Sequence, residues 1–303
     1  MMRCGWIALV GRPNVGKSTL LNALAGQDLS IVTSRPQTTR DRILAVVTRP
    51  EAQMIFVDTP GIHKPSASLG QRMNREATAA IADADVVLMV VDATETNDTL
   101  SRDAYVFSAV QKSHKPVVLV VNKVDQIKPR SDLLPKLLAF DSLHPWLGVV
   151  PVSAKKNNGI DRIVALCEPH LPEGPALFPA DALTDRPERF LVAERVREAV
   201  IYETTDEVPY VTAVAIERFE EGEKSVHIQA TIHVERQGQK KIVIGASGEK
   251  IRAIGLRART AIQKILGRKI VLELWVKVSP DWTRNDSAMR ELGYGATGPA
   301  RRS

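Results

Sequence analysis

Residues 11–18, Gly-Arg-Pro-Asn-Val-Gly-Lys-Ser, place two glycines, a lysine and a hydroxyl at the spacing G-x-x-x-x-G-K-[ST]. Glycine lets a backbone wrap closely around an oxyanion and turn its N–H groups toward it. A lysine at this spacing reaches β- and γ-phosphates, and the following hydroxyl ligates Mg²⁺. The apolar run Trp6-Ile7-Ala8-Leu9-Val10 ahead of the motif reads as a buried strand. Thr19-Leu20-Leu21-Asn22-Ala23-Leu24 behind it reads as a helix whose positive N-terminal end faces the anion. Gly11, Arg12, Pro13, Asn14, Val15, Gly16, Lys17, Ser18 and Thr19 are therefore candidate nucleotide contacts.

Three further stretches narrow the ligand. Asn122-Lys123-Val124-Asp125 follows the strand-like run Val117–Val121, and loops at the carboxyl ends of sheet strands form the ligand crevice. A carboxylate at Asp125 accepts from both N1–H and the exocyclic amine of guanine, a donor pair that adenine lacks. Asn122 is expected to tie the loop to its neighbours, with the Lys123 stem over the base. Ser153-Ala154-Lys155, after Val149–Val152, is placed to offer a backbone N–H to the guanine O6. In Asp58-Thr59-Pro60-Gly61, Asp58 is expected to hold Mg²⁺ through water, and the Gly61 N–H to sense a γ-phosphate. Gln37-Thr38-Thr39-Arg40 occupies the place of a switch hydroxyl, and either Thr38 or Thr39 completes the Mg²⁺ shell.

The order of these motifs over residues 11–155 resembles the translation-factor-related class of P-loop GTPases. The wording G-R-P-N-V-G-K-S-T-L-L-N, Q-T-T-R and D-T-P-G-I resembles its Era branch, whose members act in ribosome biogenesis. Ile62 stands after the D-x-x-G motif, where Ras-like proteins carry a water-positioning glutamine, and an isoleucine can neither accept from water nor donate to phosphate. The resemblance implies a K⁺ ion held by Asn14 in its stead, so that Lys17, Thr39, Gly61 and Asn14 carry hydrolysis. His63 and Lys64 are expected to be solvated loop residues.

These residues need a scaffold, and the pattern of the first 172 residues supplies one. Apolar runs at 5–10, 54–57, 86–91, 117–121 and 149–152 alternate with amphipathic stretches near 17–25, 71–83, 99–112, 131–140 and 159–170. That is the rhythm of a doubly wound α/β sheet. Residues 42–48 and 53–58 are joined only by Arg49-Pro50-Glu51-Ala52, so a hairpin adding an antiparallel edge strand is predicted. Residues 173–188, proline-rich and aperiodic, read as a linker.

Beyond the linker the pattern changes. A helix is expected near 189–203, strands near 210–218 and 225–234, helices on either side of Gly245–Gly248, a strand near 270–278 and a short helix near 285–292. Residues 294–303 carry no pattern of order. Lys241-Ile242-Val243-Ile244-Gly245-Ala246-Ser247-Gly248-Glu249-Lys250-Ile251 contains V-I-G-x-x-G-x-x-I and resembles a KH domain, with type II topology over 189–293. A G-x-x-G turn between helices lets a nucleic-acid backbone approach, and such a module reads about four single-stranded nucleotides. Here Ala246 and Ser247 carry no charge, so phosphate clamping falls to backbone N–H groups of Gly245–Gly248 and to Lys240, Lys241, Lys250 and Arg252. Trp275 and Trp282 are expected in the core or between domains rather than as stacking platforms. The likeness to Era proteins continues through Leu272-Glu273-Leu274-Trp275-Val276-Lys277-Val278. It implies small-subunit ribosomal RNA near its 3′ end, and the 30S-type particle that contains it, as partners.

Charge placement agrees. Residues 1–188 carry 21 Lys/Arg against 20 Asp/Glu, whereas 236–269 carry ten basic residues and one acid, Glu249. Such a band points to a polyanion, nucleic acid first and an anionic membrane surface second. The longest apolar runs are too short to span a bilayer and no leader is evident, so a cytoplasmic monomer is expected, with peripheral contact at the inner membrane face as the alternative location. Two cysteines, Cys4 and Cys167, provide neither a disulfide framework nor a metal-site spacing. Two other functions share these motifs: an RNA-binding assembly scaffold holding GTP as a structural ligand, and an ATP-dependent enzyme in which Asp125 does not meet the base.

Overall fold

The computed structural model describes residues 2–33, 35, 38–39, 42–61, 68–95 and 99–292. The chain divides between Asp185 and Arg186 into two compact units. In the first, β1 (Met2–Val10) leads through the glycine-rich loop into α1 (Lys17–Ala25), followed by β2 (Ile43–Thr48), β3 (Ala52–Asp58), α2 (Ser68–Asp83), β4 (Val86–Asp92), α3 (Thr99–Ser113), β5 (Val117–Asn122), α4 (Leu133–Asp141), β6 (Gly148–Pro151), α5 (Ile160–Cys167) and β7 (Glu173–Gly174). The sheet order is β2-β3-β1-β4-β5-β6, with β7 added against β1.

β1, β3, β4, β5 and β6 are parallel to their neighbours, and β2 joins β3 antiparallel with Ile43 opposite Asp58. Every residue of β3, β4 and β5 is buried, as expected of strands covered on both faces. The hairpin is thus the predicted antiparallel edge. Because the parallel strands all point the same way, their carboxyl ends bring Val10, Asp58, Asp92 and Asn122 to one edge of the sheet.

The stretch after α5 is more ordered than its composition suggests. Glu173 and Gly174 pair with Arg3 and Met2. The buried Gln53 accepts from the backbone N–H groups of Leu177 (2.8 Å) and Phe178 (2.9 Å) through Oε1, and its Nε2 donates to the Phe178 carbonyl at 2.9 Å. The Val46 N–H of β2 donates to the Leu183 carbonyl at 2.9 Å. Residues 173–183 therefore run as a strap across the sheet.

The second unit consists of α6 (Glu188–Glu203), β8 (Ala213–Glu221), β9 (Val226–Val234), α7 (Gln237–Ile244), α8 (Glu249–Leu266), β10 (Ile270–Val278) and α9 (Asp286–Glu291). Its sheet order is β10-β9-β8, with β9 parallel to β10 and antiparallel to β8. Val196, Val200, Ile228, Ile232, Val243, Ile254, Ala258 and Ile262 share one core. Trp282 is buried within this unit, its indole N–H donating to the Val211 carbonyl at 2.8 Å. Trp275 departs from expectation: it is 48% exposed. Strand alternation explains this, since Ile270, Leu272, Leu274 and Val276 turn inward and leave Trp275 on the opposite face.

Candidate functional site

The glycine-rich loop closes onto the start of α1, where Lys17 is buried. Its Nζ donates to the Gly11 carbonyl (3.1 Å) and the Arg12 carbonyl (2.9 Å). Burial lowers the Lys17 ammonium to about 8, opposed by the nearby carboxylates of Asp58 and Asp103. The Ser18 hydroxyl lies 2.7 Å from Asp58 Oδ2 and 2.9 Å from Thr39 Oγ1, and Thr39 Oγ1 is 3.3 Å from the same carboxylate oxygen. Ser30 Oγ donates to it as well, at 3.0 Å. Three elements thus converge: α1, the segment ahead of β2, and the end of β3.

Asp58 is wholly buried, and its other oxygen, Oδ1, has no hydrogen-bond partner among the described residues. Burial pushes its carboxyl up, while Lys17 and the three hydroxyls pull it down. Thr38 turns elsewhere. Its hydroxyl donates to the Arg35 carbonyl at 2.8 Å and lies 2.6 Å from Thr33 Oγ1, outside the Ser18–Thr39–Asp58 cluster.

Of the D-x-x-G residues, Thr59 is buried, with its hydroxyl donating to the Leu9 carbonyl at 2.7 Å; this anchors the turn to β1 rather than offering a group to ligand. Pro60 and Gly61 are buried beside it. A Cβ on Gly61 would sit 2.7 Å from the Pro13 nitrogen, so only glycine lets this segment lie against the phosphate loop. Ile62, His63 and Lys64, like Gln37 and Arg40, fall outside the described residues.

The base-side loops are tied together as the sequence suggests. Asn122 Nδ2 donates to the Val15 carbonyl at 2.9 Å and its Oδ1 accepts from the Ala154 N–H at 3.1 Å, joining both loops to the glycine-rich turn. Lys123 has a left-handed backbone (φ 66°), and its Nζ donates to the Asn14 carbonyl (2.7 Å) and to Asp92 Oδ2 (2.6 Å). Its ammonium therefore holds the rim of the phosphate loop. Ser153 Oγ donates to Asp125 Oδ1 at 2.7 Å, which fixes the orientation of that carboxylate. Lys155 is exposed. Asn14, also left-handed (φ 66°), is exposed at the loop's tip.

Arg12 points away from the phosphate cradle. Its Nε donates to Asp103 Oδ1 at 2.8 Å and its other end pairs with Glu95. Asp103 is 1% exposed, and burial raises its carboxyl against the pull of Arg12. Motif spacing offers no signal for this pair, because the acid comes from α3.

In the second unit, Gly245 (φ 75°), Ser247 (φ 51°) and Gly248 (φ 76°) shape the turn between α7 and α8. A Cβ on Gly245 would lie 2.7 Å from Lys250 Cβ, so glycine is required there by space as well as conformation. Ala246, Ser247, Lys241 and Arg252 are exposed, Lys240 and Lys250 half-buried, and a Cβ on Gly248 would lie 3.9 Å from Arg252 Nη2. Beyond the turn lies a groove that sequence reasoning missed. It has a volume of about 360 Å³, runs between α8 and β10, and is lined by Ile251, Arg252, Gly255, Leu256, Arg259, Leu272 and Leu274. Leu256 is 60% exposed, on a helix face otherwise basic. Its position beside Arg252 and Arg259 at helical spacing was the available signal.

The two units define a P-loop GTPase domain joined to a KH domain. Accordingly, the family model described as 50S ribosome-binding GTPase matches residues 6–123, and the KH domain model matches residues 207–283. The GTPase Era of Pseudomonas fluorescens is 46% identical over 294 residues, 97% of each chain, and that of Pseudomonas aeruginosa is 46% identical over 97% of this chain and 95% of its own. A crystal structure of Era in complex with MgGDPNP and nucleotides 1506–1542 of 16S ribosomal RNA matches with a TM-score of 0.90 at 42% identity, covering 97% of this chain and 99% of that one. A variant of Aquifex aeolicus Era bound to GDP·AlF4⁻ matches equally well. The chain belongs to the Era family of GTPases, and is a GTP hydrolase.

Proposed function

We propose that the chain binds GTP with Mg²⁺, hydrolyses it, and uses the bound nucleotide to control attachment of its KH domain to the 3′ region of small-subunit ribosomal RNA. The observation that carries this reading is the cluster of Ser18, Thr39 and Asp58 beside the buried Lys17, in one chain with a basic G-x-x-G turn and groove. The buried Asp58 carboxylate, with one oxygen against the Ser18 and Thr39 hydroxyls and the other without a hydrogen-bond partner among the described residues, gives an all-oxygen set that suits Mg²⁺. Ser18 and Thr39 would hold the ion directly and Asp58 through water. A metal held there would supply positive charge against the β- and γ-phosphates. Lys17, already desolvated, meets the same phosphates, and Asp125, oriented by Ser153, accepts from the guanine edge. Thr39 rather than Thr38 completes the cluster, and loss of the γ-phosphate releases it.

Ile62 leaves the attacking water without a glutamine partner. Asn14, exposed at the tip of the phosphate loop, is the ligand we assign to a K⁺ ion supplying positive charge near the transferred phosphoryl group. The same reading places the protein in the cytoplasm as a monomer bound to the small-subunit particle, its basic face also able to meet an anionic membrane. Single-turnover GTP hydrolysis, with and without an RNA of sequence 1506–1542, tests it. Turnover that rises with RNA, is faster in K⁺ than in Na⁺, and loses that cation preference in Asn14→Ala is expected. Turnover indifferent to RNA overturns the coupling, and equal rates in the two salts overturn the K⁺ assignment.

A further inference from the structure

Ser30 lies outside every nucleotide motif of the chain, yet it is 1% exposed and its hydroxyl donates to Asp58 Oδ2 at 3.0 Å. Serine is mostly a surface residue, so a buried hydroxyl spent on a buried carboxylate requires something to hold it there. Asn22, from α1, is that group. Its Oδ1 accepts from the Leu29 N–H (3.0 Å) and the Ser30 N–H (2.8 Å), and its Nδ2 donates to the Ser30 carbonyl at 2.9 Å. One side chain thus satisfies both polar groups of the Ser30 backbone and fixes the point from which the hydroxyl reaches out.

Asn22 and Ser18 stand four residues apart on α1, and therefore on one face of it. The Ser18 hydroxyl meets the same carboxylate oxygen, at 2.7 Å. A closed ring results, running from Ser18 along α1 to Asn22, across to Ser30, and through Asp58 back to Ser18. Such a ring sets the carboxylate of β3 against the hydroxyl of α1 from two sides. Of the three hydroxyls on Asp58 Oδ2, those of Ser18 and Thr39 belong to the metal cluster. Ser30 is the third, and it lies outside both that cluster and the Gln37–Arg40 segment.

We propose that Ser30 is a positioning residue for Mg²⁺: fixed by Asn22, it holds the Asp58 carboxylate in one orientation toward the metal, with GDP bound as with GTP. The proposal rests on the Mg²⁺ reading of the Ser18, Thr39 and Asp58 cluster and adds two residues that no motif contains. Thr39 is released with the γ-phosphate, whereas the Ser30 bond needs no phosphate to keep it. Removing a group that orients a metal-holding side chain from behind costs about 10–100-fold in metal affinity. Ser30→Ala deletes one bond to Oδ2 and leaves Ser18 in place, so the lower end of that range, about tenfold, applies.

The test follows GDP release from the full chain over a series of free Mg²⁺ concentrations, and again in excess EDTA, for wild type, Ser30→Ala, Asn22→Ala and the double variant. In Ser30→Ala the Mg²⁺ concentration that half-suppresses release is expected to rise about tenfold, while release in EDTA keeps the wild-type rate. Asn22→Ala is expected to shift the half-point in the same direction. The double variant should shift it no further than the larger single change, because both substitutions act through one bond to Asp58. An unshifted half-point in Ser30→Ala overturns the proposal. Faster release in EDTA as well as in Mg²⁺ also overturns it, since that marks a loosened nucleotide pocket rather than a misplaced metal group. Additive shifts in the double variant overturn it too, because Asn22 then acts elsewhere. Wild-type release indifferent to Mg²⁺ overturns the metal reading on which the proposal stands.

Discussion

Replacing Arg12 by alanine strips the buried Asp103 of its ion-pair partner while leaving the glycine-rich loop's own sequence pattern intact. Arg12 is about one-fifth exposed and Asp103 1% exposed, so the carboxylate cannot recover its lost interactions from water. Removing one partner of a buried pair costs about 3–5 kcal/mol. Lys17 also lies near Asp103 and offsets part of the charge, so the lower figure of about 3 kcal/mol applies. The penalty has a pH signature. Burial already raises the Asp103 carboxyl, and without Arg12 it rises further. A carboxyl whose folded-state pKa lies above its unfolded value destabilises the fold at neutral pH, and the penalty fades as pH falls through the folded pKa, where the group becomes neutral. Hydrogen exchange of the β4 and β5 amides in the full chain reads this out. Protection is expected to drop roughly a hundredfold at pH 7, the gap to wild type narrowing as the pH is lowered. Arg12→Ala/Asp103→Asn should recover most of the loss, because the amide carries no charge. A single mutant within threefold of wild type, or a double mutant no better than the single, would refute the reasoning.

Three further outcomes are expected. Asp125→Asn replaces an acceptor pair with one acceptor and a donor, so GTP affinity should fall about a hundredfold or more and lose its margin over ATP in competition binding. His233, buried with its Nδ1 2.9 Å from Ser279 Oγ and its Nε2 without a partner among the described residues, has its pKa lowered by burial and by Lys277, against Glu217. A base with a depressed folded pKa contributes stability above its unfolded value near 6.5 that is lost as pH falls from there. Melting followed through Trp282 should therefore weaken below about pH 6.5 in wild type and less steeply in His233→Gln. Gln53→Ala deletes the bonds to the strap at Leu177 and Phe178 and should expose residues 175–183 to limited proteolysis, detectable as new fragments near 20 kDa by mass.

Elements with a repeating signal were legible in the sequence: the β4 and β5 runs, the amphipathic α8 and the β2–β3 hairpin all fall where periodicity and turn residues place them. The ligand loops were legible too, because their chemistry fixes residue types at short spacing. What escaped depends on single pairings across long separations. Gln53 lies in a strand and holds residues about 125 positions later, with nothing local to mark it. Asp103 meets Arg12 across 91 residues for the same reason. Trp275 lies outside the core because the strict alternation of β10 turns it outward, whatever its residue type. Leu272 and Leu274 carried no sequence signal of the groove, because they lie on the inward face of β10 and pack against the core while also lining the cleft beside the exposed Leu256.

The central claim is that one nucleotide site and one RNA groove share a free energy of coupling. Thermodynamic reciprocity makes this testable in a single cycle. Affinity of the full chain for the 1506–1542 RNA, measured in the GDPNP-bound and GDP-bound forms, should be at least about fivefold tighter with GDPNP, and the RNA should tighten GDPNP binding by the same factor. Equal RNA affinity in the two nucleotide forms would contradict it.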